Sequence, residues 1–126
     1  MTPFFLLWFL AAGAAGSLAR YGVASLSYML WGRSLWGTAI VNILGCLLFG
    51  AVTGVGARAQ FLTTSTVTIL TTGFLGAFTT FSTFIFDTST LWASGRWGWA
   101  IANLLGQNTA GLLALTFGMW LVHRAP

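Results

Sequence analysis

The chain has 126 residues, 57% of them hydrophobic and only 5% charged, with a formal net charge of +4. Five arginines and one acid cannot keep the surface of a chain this size in water, and its hydrophobic content excludes disorder, which leaves an integral membrane protein. The basic balance is not a nucleic-acid signature either, because Arg20, Arg33, Arg58, Arg96 and Arg124 stand singly between apolar stretches, as membrane-flanking anchors do. Cys46 is the one cysteine, so the chain has no internal disulfide and no thiolate metal site; a small buried helix residue is the reading.

A membrane helix needs about 20 mostly apolar residues. Four stretches qualify, approximately 4–30, 35–57, 61–92 and 97–122, within a single membrane domain spanning 1–126. An even number of spans puts both termini on one side. The first span carries a small-residue run, Ala11 to Gly16, that resembles a signal cleavage region. No basic residue precedes it and three further spans follow, so the expectation is that it is retained. The second span carries Gly37, Gly45, Gly50 and Gly54, and the last two form a GxxxG spacing suited to close helix packing.

The third span is rich in hydroxyls: 14 of the 30 residues from Phe61 to Thr90 are serine or threonine. Within it lies TTGFLGAFTTFSTF, Thr71 to Phe84. Its glycines, Gly73 and Gly76, weaken a helix, and the paired Thr79 and Thr80 follow them. A plain threonine-rich helix is one reading. The residue types favour the other, a helix interrupted near Gly73 to Thr80 and buried against its neighbours, since freed backbone groups at membrane depth need protein around them. The fourth span carries a local polar run, Gln107, Asn108, Thr109, with Thr116 further on. With the termini inside, Arg58 and Arg124 lie inside, and Arg33 and Arg96 lie outside. Such a balance suits insertion in both orientations, and is also compatible with one topology set by other signals.

Enzymatic chemistry needs titratable groups within reach of one another, and this chain offers only Asp87 and His123, with no hydrolase or metalloprotease motif. It is not expected to be an enzyme. A proton-coupled transporter needs a carboxylate inside the membrane. Asp87, beside the polar run DTST, reads as interfacial. A cation channel would use rings of acids or carbonyls. An anion path remains. Dehydrating a small anion costs on the order of 20 kcal/mol by idealised Born reasoning, so replacement donors are required. Asn42 supplies an amide within the second span, and Thr79, Thr80, Ser82 and Thr83 supply hydroxyls. Phe81 and Phe84 share a helical face. They either pack against lipid and core or present their positive ring edges to an anion.

These motifs together resemble the small bacterial fluoride channels of the Fluc (CrcB) family, over essentially the whole chain. The strongest part is TGFLGAFTTFSTF, Thr72 to Phe84. Gly13, Gly16 and Arg20 (GxxGxxxR) and Gly37, Thr38, Asn42 and Gly45 (GTxxxNxxG) support it. Ala77 departs from the pattern where a second glycine is usual, and Asp87 where a glutamate is common. The resemblance implies an all-α membrane protein of four helices, assembled as an antiparallel, dual-topology homodimer in the bacterial plasma (inner) membrane. It implies fluoride pores along the subunit interface, with Phe81, Phe84 and Asn42 in them beside the hydroxyls of Thr80, Ser82 and Thr83. Asn108, Thr109 and Thr116 are the candidates on the fourth span. Arg20 would make the vestibule positive. The backbone carbonyls of Gly76 and Thr79 would hold a structural sodium ion at the dimer centre. The implied function is passive, fluoride-selective export that confers fluoride resistance. The alternative is a small dual-topology proton-coupled exporter.

Overall fold

The computed structural model describes residues 2–32, 34–58 and 62–124. Arg33 and position 61, the expected start of the third span, lie outside them. Helix α1 (Pro3–Trp31) starts where Thr2 caps it, its hydroxyl accepting from the Phe5 N–H at 3.2 Å, with Pro3 in the first turn. It ends at Gly32, whose φ of 63° allows its N–H to close on the Tyr28 carbonyl at 2.8 Å. Helix α2 covers Ser34–Arg58.

The third span is composite. Helix α3 (Thr64–Thr68) is capped by Thr63, and a π-helical segment (Ile69–Leu75) leads into α4 (Gly76–Phe78). Thr79 and Thr80 are extended, with ψ of 159° and 111°, and α5 (Phe81–Ala93) resumes the span. The interruption therefore falls at the C-terminal end of the expected stretch. Gly73 and Gly76 stay helical, and the two threonines make the break. Thr79 ends α4 and Thr80 starts the next helix: its hydroxyl accepts from the Thr83 N–H at 3.3 Å, capping α5. A turn through Gly95 (φ 72°) joins α5 to α6 (Trp97–Arg124).

Glycine decides how closely the helices approach. A methyl group on Gly50 of α2 would collide with the Leu115 carbonyl of α6, and one on Gly118 of α6 with the Leu47 carbonyl of α2. Gly54 faces Val122, and Gly111 faces Cys46. These pairings advance in the same direction along both helices, so α2 and α6 run parallel. Gly13 faces the Gly73 carbonyl, Gly16 the Phe74 carbonyl, and Arg20 the Thr79 carbonyl, so α1 runs parallel to the third span. The bundle is thus up-down-up-down.

Its interior and exterior are the reverse of a soluble protein. The buried apolar cluster is small, Val41, Leu75 and Phe78 backed by Ala19, Val23 and Phe74. Ser27, Thr38, Thr71, Thr80, Asp87 and Gln107 are buried, while Leu7, Leu18, Met29 and Leu113 face outward. Such an apolar exterior requires lipid or a partner around it. Pro3–Trp31, Leu35–Ala57 and Thr64–Ala93 are long and apolar enough to cross a membrane. Helix α6 has 28 residues but carries Asn103, Gln107 and Asn108, which lower its hydropathy.

Candidate functional site

A cleft of about 410 Å³ opens beside the helix break, with α2, the third span and α6 contributing walls. Asn42, Thr80, Phe81, Phe84, Gln107 and Asn108 line it, together with Gly76 and Thr79. The break is the reason these groups meet. In a continuous helix the Thr80 N–H would bond the Gly76 carbonyl. Here it donates to Asn42 Oδ1 at 2.8 Å, and Asn42 Nδ2 donates back to the Thr80 carbonyl at 3.2 Å. One amide of α2 thus satisfies both backbone groups of the residue at the break. Asn42 Nδ2 also donates to Gln107 Oε1 at 3.0 Å.

The two phenylalanines are unequal. Their ring centroids are 5.8 Å apart with planes tilted by 51°. Phe84 is 4% exposed, whereas Phe81 is 74% exposed. The expected shared face exists, with one ring inside the bundle and one outside it.

The hydroxyl candidates divide. Thr80 lines the cleft. Ser82 and Thr83 are not among its lining residues; they gather on the Thr80 hydroxyl, at 3.4 Å and 3.0 Å. On α6, Asn108 lines the cleft while its Nδ2 donates to the Leu104 carbonyl. Thr109 and Thr116 are exposed and lie outside the cleft, and the Thr116 hydroxyl donates to its own helix at Leu112 and Leu113.

Arg20 is placed against the break, half-buried, with Nη1 donating to the Thr79 carbonyl at 3.5 Å. Gly76 is exposed, and its carbonyl has lost Thr80 as a donor. Both oxygens are hard donors of the kind a sodium ion takes. A carbonyl has two lone pairs, so Thr79 can serve Arg20 and a cation together.

Asp87 is enclosed by the bundle. It is 9% exposed, and the Thr38 hydroxyl donates to its Oδ2 at 2.8 Å. The cause is α2, which presents Thr38 one turn before Asn42 and so gives α5 a polar neighbour within the bundle. Asp87 does not line the cleft.

Gln107, Asn103 and Thr88 were missing from the expected site. Gln107 Nε2 donates to Asn103 Oδ1 at 2.8 Å, and Asn103 Nδ2 to Thr88 Oγ1 at 2.8 Å. The sequence held a signal for two of them: Asn103 and Gln107 are four apart on a largely apolar helix, the spacing of one face, as Thr38 and Asn42 are on α2. Among the described residues no buried side-chain polar atom lacks a partner.

The family described as CrcB-like protein, Camphor Resistance (CrcB), matches residues 7–119. A relative named fluoride-specific ion channel FluC, from Solidesulfovibrio magneticus, is 51% identical over 109 residues, 86% of this chain and 87% of that one. Proteins of the same name from Nitrosococcus oceani and Maridesulfovibrio salexigens are 43% and 40% identical over 114 residues each. Both alignments cover 90% of this chain, with 91% of the first protein and 90% of the second.

Proposed function

This chain belongs to the CrcB family, and from that premise we propose that it is a fluoride-selective channel that lets fluoride leave the cell passively. It is a membrane protein and not an enzyme. The observation that carries the reading is the cleft at the break, where the Asn42 amide and the Phe81 and Phe84 rings converge. Amide N–H groups and ring edges offer positive partial charge without a full countercharge that would trap the ion. A membrane potential negative inside drives a monovalent anion outward at about 2.3 kcal/mol per 100 mV. Fluoride that enters as neutral HF and dissociates within would leave by this route. Arg20, close to the cleft through Thr79, raises the local potential for anions.

The finer reading is an antiparallel homodimer in the bacterial inner membrane. Phe81 is a large ring left in the open at a cleft wall, and Gly76 exposes backbone beside it. A second copy laid across this face would cover both and complete the pathway. Gly76 and Thr79 are the residues that would hold a sodium ion there. When bound, it would supply positive charge to carbonyls freed by the break.

The test is flux from liposomes containing the purified protein. Fluoride should leave freely under a potassium-valinomycin potential, chloride should be retained, and no proton movement should accompany the anion. Burial of Asp87 favours a second reading, the proton-coupled exporter, because a carboxylate within the bundle is what such a mechanism titrates. Fluoride flux coupled to protons and abolished by Asp87→Asn would establish that reading in place of the channel.

A further inference from the structure

The hydrogen bonds around Gln107 have a direction. Thr80 N–H can only donate, so Asn42 must turn its Oδ1 toward it, which leaves Asn42 Nδ2 facing Gln107. Gln107 must then present Oε1 to Asn42, and its Nε2 donates to Asn103 Oδ1. Asn103 in turn donates to Thr88 Oγ1, and the Thr88 hydroxyl donates to the Phe84 carbonyl at 2.8 Å. The relay runs one way through α2 and α6 and returns to α5. Its ends, Thr80 N–H and the Phe84 carbonyl, flank the turn that carries both phenylalanines. Chains of this kind strengthen each bond in them, and a defect at one member reaches the rest.

We propose that Gln107 is a positioning residue for permeation: through this relay it fixes the orientation of the Asn42 amide and the pose of the Phe81–Phe84 turn. The inference rests on the channel reading. Gln107 is 9% exposed and sits at the centre of the relay, joining the Asn42 amide of α2 to the Asn103 amide of α6. It accepts an N–H of Asn42 that an anion would otherwise receive, so it also sets how readily Asn42 yields that donor.

Three variants test it in liposomes, with fluoride as the probe and chloride as the comparison. Gln107→Met keeps the side-chain length and removes both relay bonds. It should lower fluoride flux about tenfold or more while the protein still assembles and elutes as the parent does. In an Asn42→Ser background the same change should have almost no further effect, because Gln107 acts through Asn42. Gln107→Glu should be poor near neutral pH, where a carboxylate cannot donate to Asn103 and repels the anion. Protonated, it has a carbonyl for Asn42 and an O–H for Asn103, so its flux relative to the parent should recover as pH falls. Cys46, which lines the same cleft, and Arg20 at the break are present in the parent too, so this ratio removes their contribution. A conducting parent matched by Gln107→Met would overturn the proposal, as would effects that multiply in the Asn42→Ser background. So would a Gln107→Glu ratio that does not change with pH, the readout that decides if the methionine variant fails to fold. A parent without fluoride flux would instead overturn the channel reading beneath it.

Discussion

Gly45→Ala is the sharpest test of how the break is seated. Gly45 is buried on α2, and a methyl group there would run into Thr79 Cγ2. Two effects oppose each other. Alanine in place of glycine favours a helix by about 1 kcal/mol. Overpacking a tight interior costs about 1–3 kcal/mol, and Thr79 cannot move freely because its hydroxyl and N–H both bond the Leu75 carbonyl at 3.0 Å. The expected net is a loss of up to about 2 kcal/mol. Thr79→Ser removes the obstructing methyl and keeps the hydroxyl. The next atoms the new methyl would meet are then Thr79 Cβ at 3.6 Å and Phe78 Cδ1 at 3.7 Å, ordinary contact distances. Thr79→Ser alone should cost about 0.8 kcal/mol for the lost methyl. The double variant should return close to the parent, giving a coupling of about 1–3 kcal/mol. Denaturant titration of the four proteins in mixed micelles measures this directly. A Gly45→Ala protein more stable than the parent by the propensity term alone, or a cycle that is simply additive, would refute the reasoning.

Phe81→Ile and Phe84→Ile should both reduce fluoride flux strongly, since isoleucine keeps apolar bulk without the ring edge. Their effects on stability should diverge: Phe84 is buried, so its loss should show in thermal unfolding of the isolated chain, while exposed Phe81 should register little. If both variants conduct like the parent, these rings are packing residues. Asn42→Asp should conduct less than Asn42→Ser, because the carboxylate keeps an acceptor for Thr80 but replaces both donors with charge. Equal flux through parent and aspartate variant would remove Asn42 from the path. Asp87→Asn should keep passive flux within several-fold of the parent, an amide oxygen remaining for Thr38. Two arginines added at the N-terminus should bias insertion and lower the yield of functional dimer, with rescue by co-expressing an oppositely biased copy. Full flux from the biased copy alone would reject antiparallel pairing.

Much of the fold was open to a reader of the sequence because its cues are local. Span lengths follow from uncharged runs, and the break follows from a glycine pair before two threonines. It falls at Thr79–Thr80, the far end of the expected stretch, because glycine weakens a helix without ending it when neighbours hold the turn: Gly73 packs so close to α1 that an added methyl would lie 3.3 Å from both the Phe9 carbonyl oxygen and Ala12 Cβ. Asn42, Phe81 and Phe84 were legible as unusual residues at unusual places. What was not legible is which polar residue faces which. Asp87 stands beside serines and threonines in the sequence, and its pairing with Thr38 becomes visible only once α2 packs against α5. Asn108 and Gln107 are adjacent in sequence, yet the 100° between them sends one back to its own helix and the other into the relay.

The amides of α6 also bear on how the chain enters its membrane. Pro3–Trp31, Leu35–Ala57 and Thr64–Ala93 are long and apolar enough to cross a membrane, whereas α6 sets Asn103 and Gln107 among its apolar residues. Its Asn103 and Gln107 find partners on Thr88 and Asn42, both synthesised earlier. The spans that carry Asn42 and Thr88 leave the ribosome ahead of α6, so a scaffold with those acceptors and donors can be in place when α6 emerges. The fourth span then meets partners for its amides in the rest of the chain. Damage to Asn42 or Thr88 would accordingly surface during biogenesis, as a nascent segment left outside the lipid and exposed to proteolysis.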